Sequence, residues 1–186
     1  MQLLPTVTLS DCPQLNVVAV PSGVGTDALL TDPDVIGWLQ RQAAGAKYVV
    51  AICAGSLTLG AAGLLAGRRA GCHWASRHLL AYFGAQASDD RVIKDGNVIT
   101  GAGVAAGIDV GLAVAAELRG QRVAESIQLG IEYDPHPPFS AGSPATADAG
   151  LVAEMRQRMA PRLAAREAQV RRAAAALEAH IGLSSI

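Results

Sequence analysis

The sequence predicts an α/β protein built on a single core. Residues 48–52 form a short, β-branched and apolar run of the kind found in fully buried strands, and residues 56–65 have the small, leucine-rich content of a packed helix. The 186 residues include 20 glycines and only 4% aromatic side chains, which favours helices lying close on a sheet. With 51% hydrophobic content, a chain of this length can bury a sizeable core.

The N-terminal part is predicted to contain strands and a helix. Residues 7–9 are a candidate short strand, and residues 16–20 are a stronger one that enters a glycine-containing turn at 21–25. Such a turn at the carboxyl end of a parallel strand is where open α/β sheets build sites, although a plain loop fits it equally well. Asp32, followed by proline, predicts a helix N-terminus, and Gly45 predicts its end.

The middle of the chain is predicted to hold a strand, a short helix, a hairpin and two longer helices. Residues 69–72 are a candidate strand that leads into a short helix ending at Gly84. Residues 92–100 carry an Asp-Gly pair between β-branched runs, which is the signal of a β-hairpin. Hydrophobic helices are predicted at 105–119 and 123–133.

The C-terminal part is predicted to be an irregular arm followed by a helical extension. Three prolines within residues 134–138 cannot continue a helix, because proline lacks the backbone donor and biases its predecessor towards extended backbone. A long helix is predicted at 148–180, with a kink or break at Pro161. We therefore divide the chain into an α/β domain at 1–144 and an extension at 145–186. The arginines of the extension are interpreted as a solvated face: Arg156, Arg158, Arg162, Arg166, Arg171 and Arg172.

Cys53 lies where the central strand meets its helix, and its neighbours favour a nucleophile elbow. In that layout a reactive side chain sits at the sharp turn, with a small residue two positions to either side. Here the small residues are Ala51 and Gly55, which let the backbone turn tightly and leave the sulfur exposed. The helix that follows directs its free N–H groups and positive end at the sulfur, which favours the thiolate. The alternative is a small core side chain, since free cysteine is among the most buried residue types.

Charge, hydropathy and cysteine content exclude several classes of protein. A net charge of -1 does not suit a polyelectrolyte binder, so no nucleic-acid partner is expected. Asp109 interrupts the longest apolar run, so no segment reaches the ~18 residues that span a membrane. The start lacks the pattern of a secretion signal, and three cysteines without a C-x-x-C pair argue against a disulfide framework and a structural zinc site. We expect a cytoplasmic protein without a metal or an organic cofactor.

Several motifs in the same order resemble the ThiJ/PfpI superfamily, which is class I glutamine-amidotransferase-like. They are the segments at 51–56, 72–74, 91–96 and 100–104. A long match at 132–144 is similar to the isonitrile hydratase branch of that superfamily. The resemblance covers residues 9–177 and implies a flavodoxin-like fold, with a doubly wound, mostly parallel sheet and helices on both faces.

The resemblance to that branch implies a specific reaction and a set of site residues. A cysteine thiolate attacks the terminal carbon of an isocyanide, and water then releases an N-substituted formamide. Cys53 takes the nucleophile position, and His73 corresponds to a histidine that some members keep close to the cysteine; a structural hydrogen-bonding role is its alternative. Backbone N–H groups of Gly23 and Ala54 match an oxyanion-type pocket. Val104 falls where the family places a backbone group near the ligand.

Two departures from that branch imply impaired activity. The hydratases carry an acidic residue beside the thiol near their N-terminus, and this sequence begins after that region. We therefore expect the first strand and helix of the fold to be missing, together with an interior strand. Asp11, Asp27 and Asp109 are candidates for the acid by elimination. The second departure is Ala54, where the hydratases place threonine.

Two other functions stay open from the sequence. The same fold is joined to helix-turn-helix modules in some regulators, so a non-catalytic sensing domain is the chief alternative, although the segment after Pro144 is short for paired modules. The third is a stress-linked protein whose cysteine is oxidised, because thiolates are prone to form sulfenic or sulfinic acid. The resemblance also implies a homodimer and a small, isocyanide-like substrate.

Overall fold

A four-stranded sheet forms the centre of the molecule in the computed structural model, which describes residues 4–184. The strands in chain order are β1 (Val17–Val20), β2 (Tyr48–Ile52), β3 (Arg69–Ala70), β4 (Gln86–Ala87), β5 (Val92–Asp95) and β6 (Val98–Gly101). The main sheet has the order β1-β2-β6-β5, and β3 pairs with β4 in a separate two-stranded sheet. Strand β2 pairs in parallel with β1 and β6, whereas β5 and β6 form the predicted antiparallel hairpin.

Helices cover both faces of this sheet. They are α1 (Thr26–Leu29), α2 (Pro33–Gly45), α3 (Gly55–Ala61), a 3-10 helix (Arg77–Phe83), α4 (Ala106–Arg119), α5 (Gln121–Gly130) and α6 (Ala149–Ser184). Because successive strand residues point to opposite faces, Val49 packs in the core that includes α3, whereas Val50 packs with Val110 of α4. The mostly parallel sheet between two helical layers confirms the predicted flavodoxin-like fold.

Helix α2 begins as the sequence predicts. Asp32 has an extended backbone, and its Oδ1 accepts hydrogen bonds from the N–H groups of Asp34 at 3.0 Å and Val35 at 3.2 Å. Pro33 occupies the first helical turn, where no backbone donor is needed. The capped helix packs Leu39 against the sheet and so fixes the position of the chain before β2.

Two local predictions are wrong, each for a physical reason, and a third is wrong in part. Residues 7–9 form a turn, because Thr8 Oγ1 accepts from the Asp11 N–H at 3.2 Å and such local bonds compete with strand pairing. The helix predicted at 56–65 ends at Ala61, close to Gly63, whose φ of +76° lies outside the helical region. Helix α6 is continuous across Pro161, so the predicted break is absent, while the predicted kink stays a prediction.

The expectation that strands of the fold are missing from this chain stays a prediction. Strands β1, β2, β6 and β5 are direct neighbours, and β1 forms an edge of the sheet. Helix α6 packs against α1, α3 and the 3-10 helix, and its Val170, Ala173 and Ala174 join the main core. The division of the chain at residue 144 therefore stays a prediction.

Within residues 4–184, no helix has the length and apolar character needed to cross a membrane.

Candidate active site

Cys53 occupies a strained backbone conformation directly after β2. Its φ of 60° lies in the left-handed region, which a residue with a side chain adopts rarely. The conformation is held on both sides, because the Cys53 N–H donates to the Gly101 carbonyl at 3.0 Å and the Cys53 carbonyl accepts from the Ser56 N–H at 3.4 Å. The predicted strand, sharp turn and helix are confirmed, and the nucleophilic role of Cys53 stays a prediction.

The small residues around Cys53 are required by close backbone contacts. A Cβ atom added to Gly55 would lie 2.2 Å from the Val20 carbonyl oxygen and 2.9 Å from the Pro21 carbonyl oxygen. Ala51 is fully buried between β1 and β6. The end of β1 therefore touches the first turn of α3, and this contact fixes the direction in which Cys53 leaves the strand.

We expect Gly55→Ala to destabilise the protein and to disturb the elbow. The new Cβ must displace backbone rather than a flexible side chain, so the expected loss in the free energy of unfolding is about 1–3 kcal/mol. Urea unfolding measures it. Gly107→Ala in α4 is the matched control, because a Cβ there meets nothing within 4 Å. An unfolding curve for Gly55→Ala equal to that of the control would contradict the close contact.

A cavity of about 310 Å³ lies over Cys53 and brings several of the predicted residues together. Its lining consists of Ser22, Gly23, Val24, Cys53, His73, Ala75, Val104, Met159, Arg162, Leu163 and Arg166. Cys53 as a whole residue is only 7% exposed, although it lines this cavity, so the exposure of its sulfur stays a prediction. Helix α6 contributes four of the lining residues. A second cavity, of about 910 Å³, adjoins the first at His73 and Val104.

The two predicted backbone donors differ in their availability. The Ala54 N–H donates to no group among the described residues, and Ala54 precedes the first turn of α3. The Gly23 N–H already donates to Thr26 Oγ1 at 2.7 Å. Gly23 lines the cavity, but its N–H must share or leave Thr26 before it can bind a ligand. Val104 also lines the cavity and is 79% exposed, while its carbonyl accepts from the Gly107 N–H.

His73 faces the same cavity as Cys53 in a neutral form. Its Nδ1 accepts a hydrogen bond from the Ala75 N–H at 3.3 Å, so the imidazole proton is on Nε2. Burial lowers the pKa of His73, and the positive charges of Arg166 and Arg162 lower it further. His73 therefore has the structural hydrogen bond that the sequence offered as one alternative, and it also lines the cavity beside Cys53.

We expect His73 to make the protein less stable in acid. Because its pKa is lowered in the folded state, the unfolded chain binds a proton more readily below pH 6.5. The free energy of unfolding should fall as the pH drops below that value and towards the lowered pKa. His73→Asn should reduce this loss in urea unfolding at pH 7 and pH 5, whereas His136→Asn, at an exposed site, should not. Equal acid sensitivity of His73→Asn and the wild type would contradict the prediction.

Cys72 is the other buried thiol near this site, and its surroundings disfavour a thiolate. Burial raises the pKa of Cys72 to about 12, and the nearby Cys53 adds to the effect. Cys72 lines the larger cavity and Cys53 the smaller one. At neutral pH, Cys72 is therefore a protonated thiol and a poor nucleophile.

Arg166 is buried, so its interpretation as part of a solvated face is wrong. It is 6% exposed, and its guanidinium holds Asp27 with Nε to Oδ1 at 2.6 Å and Nη2 to Oδ2 at 3.4 Å. Its Nη1 donates to Ser76 Oγ at 2.8 Å. Three elements, α1, α6 and the turn before the 3-10 helix, are joined at this point. The sequence signal was an apolar stripe with helical spacing in α6, into which Arg166 falls: Met159, Leu163, Val170, Ala173, Ala174 and Leu177.

None of the three candidate acids lines the cavity over Cys53. Asp27 is held by Arg166, which does line it. Asp109 accepts from Arg91 at 2.8 Å and from the Tyr133 hydroxyl at 3.1 Å, and Asp11 accepts from Thr8 at 2.6 Å. Within residues 4–184, no group of three or more His, Cys, Asp or Glu side chains is arranged to hold a metal ion.

Comparisons with known proteins agree on one family. The model of the DJ-1/PfpI family matches residues 1–117. The chain is 50% identical over 177 residues to an isonitrile hydratase of Pseudomonas putida, covering 95% of this chain and 78% of that protein. A crystal structure of a ThiJ/PfpI family protein from Pseudomonas syringae superimposes with a TM-score of 0.86 at 45% identity, covering 90% of this chain and 70% of that one. Drosophila melanogaster DJ-1beta gives a TM-score of 0.63 at 28% identity, with 73% and 74% covered.

Proposed function

Because the chain belongs to the DJ-1/PfpI family, we propose that it is a cysteine-dependent enzyme that hydrates isocyanides to N-substituted formamides. The observation that carries the proposal is the 50% identity to an isonitrile hydratase over 95% of this chain. The position of Cys53 supports it, because a strained turn directs this thiol into a small cavity. Thiolates are strong nucleophiles, and an isocyanide carbon accepts a nucleophile when it gains a proton in the same addition.

In the first step, the Cys53 thiolate attacks the terminal carbon of the isocyanide. A bond forms between Sγ and that carbon, the carbon gains the proton that the thiol lost on ionising, and the product is a thioimidate with a carbon–nitrogen double bond. Cys53 and His73 line the same cavity, and the neutral His73 offers its Nε2–H as a hydrogen-bond donor there. The Ala54 N–H, which has no described partner, is the backbone group proposed to stabilise charge that develops in the addition.

In the second step, water adds to the thioimidate carbon and restores the thiol. The nitrogen gains a proton, the bond between Sγ and carbon breaks, and the added oxygen becomes the formamide carbonyl. The sum is one isocyanide and one water giving one formamide, so no electrons are exchanged with another reactant. Water must be deprotonated as it adds, and no carboxylate of the three candidates lines the cavity. We therefore propose that hydration by this chain is slow.

Formamide production from an aliphatic isocyanide tests the function. We expect steady turnover by the purified chain, at a rate below that of an isonitrile hydratase assayed beside it, since Ala54 also lacks a hydroxyl group. Saturable binding of the isocyanide without any formamide would instead favour the sensing alternative. If the folded protein neither binds nor hydrates the isocyanide, both functions are rejected.

We also propose a cytoplasmic homodimer. The support is the family resemblance, together with large apolar side chains exposed on and after α5: Ile127, Leu129 and Ile131. Light scattering at micromolar concentration should give twice the mass of 19.0 kDa. A single monomeric mass would reject the dimer.

A further inference from the structure

We propose that the site takes isocyanides whose nitrogen substituent carries a carboxylate, and that Arg162 binds this carboxylate. The inference rests on the proposed function and names the substrate class for the same site. Its starting point is α6, which supplies Met159, Arg162, Leu163 and Arg166 to the lining of the cavity over Cys53. The family model ends at residue 117, so this wall lies outside the part of the chain that the model matches.

The two arginines of this wall differ in how their charges are balanced. Arg166 is neutralised by Asp27, and its Nη1 donates to Ser76 Oγ. Among the described side chains, Arg162 has no carboxylate within ion-pair distance, and its one hydrogen bond is from Nη2 to the Gly23 carbonyl oxygen at 3.3 Å. The other charged or titratable groups that line this cavity are Cys53 and the neutral His73. The unbalanced positive charge at the cavity is therefore that of Arg162.

The bond to Gly23 places the guanidinium at the rim of the cavity without using its full capacity. A guanidinium carries five N–H donors in a planar fork, which suits the two oxygens of a carboxylate. Arg162 is exposed, so a bound carboxylate would remain partly in contact with water. A charge-assisted hydrogen bond of this kind contributes enough binding free energy to select between substrates. The reaction itself still takes place at the thiol.

The other walls fit the carbon skeleton of a small substituent. Val24, Val104, Met159 and Leu163 line the same cavity as Cys53 and Arg162 and give it apolar surface. At about 310 Å³, the cavity is at the small end of the range for ligand sites and has room for a short substituent. A short isocyanide with an anionic end would place its carbon at Cys53 and its carboxylate at Arg162.

Isocyanoacetate and its methyl ester test the proposal, because they differ mainly in the negative charge. We expect kcat/KM for the carboxylate to exceed that for the ester by about 10-fold to 100-fold. Arg162→Gln should remove most of that preference, Arg162→Lys should keep part of it, and added salt should reduce it. Arg158→Gln is the matched control, since this arginine lies on α6 but does not line the cavity, and it should keep the preference.

The outcomes separate this proposal from the proposed function. Equal kcat/KM for the two compounds in the wild type, or an equal fall for both in Arg162→Gln, would overturn the role of Arg162 and leave the hydratase function standing. If neither compound is hydrated, the hydratase function fails and the binding claim is decided by thermal unfolding. In that case isocyanoacetate should raise the Tm of the wild type and not that of Arg162→Gln; equal shifts would overturn the inference.

Discussion

Replacement of Cys53 by alanine is expected to abolish isocyanide hydration while the protein stays folded. The thiol supplies the bond that turns one difficult addition into two easier steps, so its loss should lower kcat by at least about 10³-fold. Cys53→Ser should be similarly inactive, because a hydroxyl is a far weaker nucleophile at neutral pH than a thiolate. Formamide production under saturating substrate measures the effect, and urea unfolding checks that the fold is retained.

Cys12→Ala is the control for this replacement. Cys12 lies in the N-terminal segment, does not line the cavity, and donates only to the Pro13 carbonyl. The Cys12→Ala variant lacks one of the three thiols of the chain, and we expect its turnover to equal that of the wild type. Undiminished turnover by Cys53→Ala, with normal folding, would reject the nucleophilic role and return Cys53 to the alternative of a core side chain.

Replacement of Arg166 by methionine is expected to cause the largest loss of stability. The change removes one partner of a buried ion pair and leaves Asp27 and Ser76 without their donors. Breaking such a pair costs about 3–5 kcal/mol, with the lower end applying here because the Asp27 side chain is 21% exposed. Urea unfolding measures the change. Arg158→Met, at an exposed position of the same helix, should lie within about 0.5 kcal/mol of the wild type.

A double variant separates the ion pair from the packing of α6. Asp27→Leu combined with Arg166→Met removes both charges, so it should recover a large part of the stability lost in Arg166→Met alone. The single variant should also raise KM, because Arg166 holds the helix that covers the cavity. A free energy of unfolding for Arg166→Met equal to the wild type would show that this contact does not hold α6 in place.

The elbow was predictable because its determinants are local. A β-branched run, a cysteine and small residues at 51 and 55 lie within eight positions, and their effect depends on the backbone of one strand and one helix. Even the need for glycine at 55 follows from the pattern, although the partner, the Val20 carbonyl, is visible only in the structure. Local composition therefore specified β2, the turn and the beginning of α3.

The position of α6 over the cavity was not predictable in the same way. Arg166 lies 139 positions from Asp27 and 90 from Ser76, so the contacts that bury it depend on how α6 crosses the sheet domain. Composition alone favoured a solvated arginine. The same limit applies to Gly23, because the sequence shows a glycine turn but not that Thr26 Oγ1 accepts the Gly23 N–H. It also applies to Asp109, whose carboxylate is bound by Arg91 and Tyr133.

Cys53 is proposed to form a covalent bond to the isocyanide carbon, and mass spectrometry after rapid acid quenching detects this bond. During turnover, the peptide that contains Cys53 should gain the mass of one intact isocyanide, and this adduct should decay as formamide accumulates. The peptides that contain Cys12 and Cys72 should stay unmodified. Formamide production with an unmodified Cys53 peptide, or an adduct on another cysteine alone, would reject Cys53 as the nucleophile.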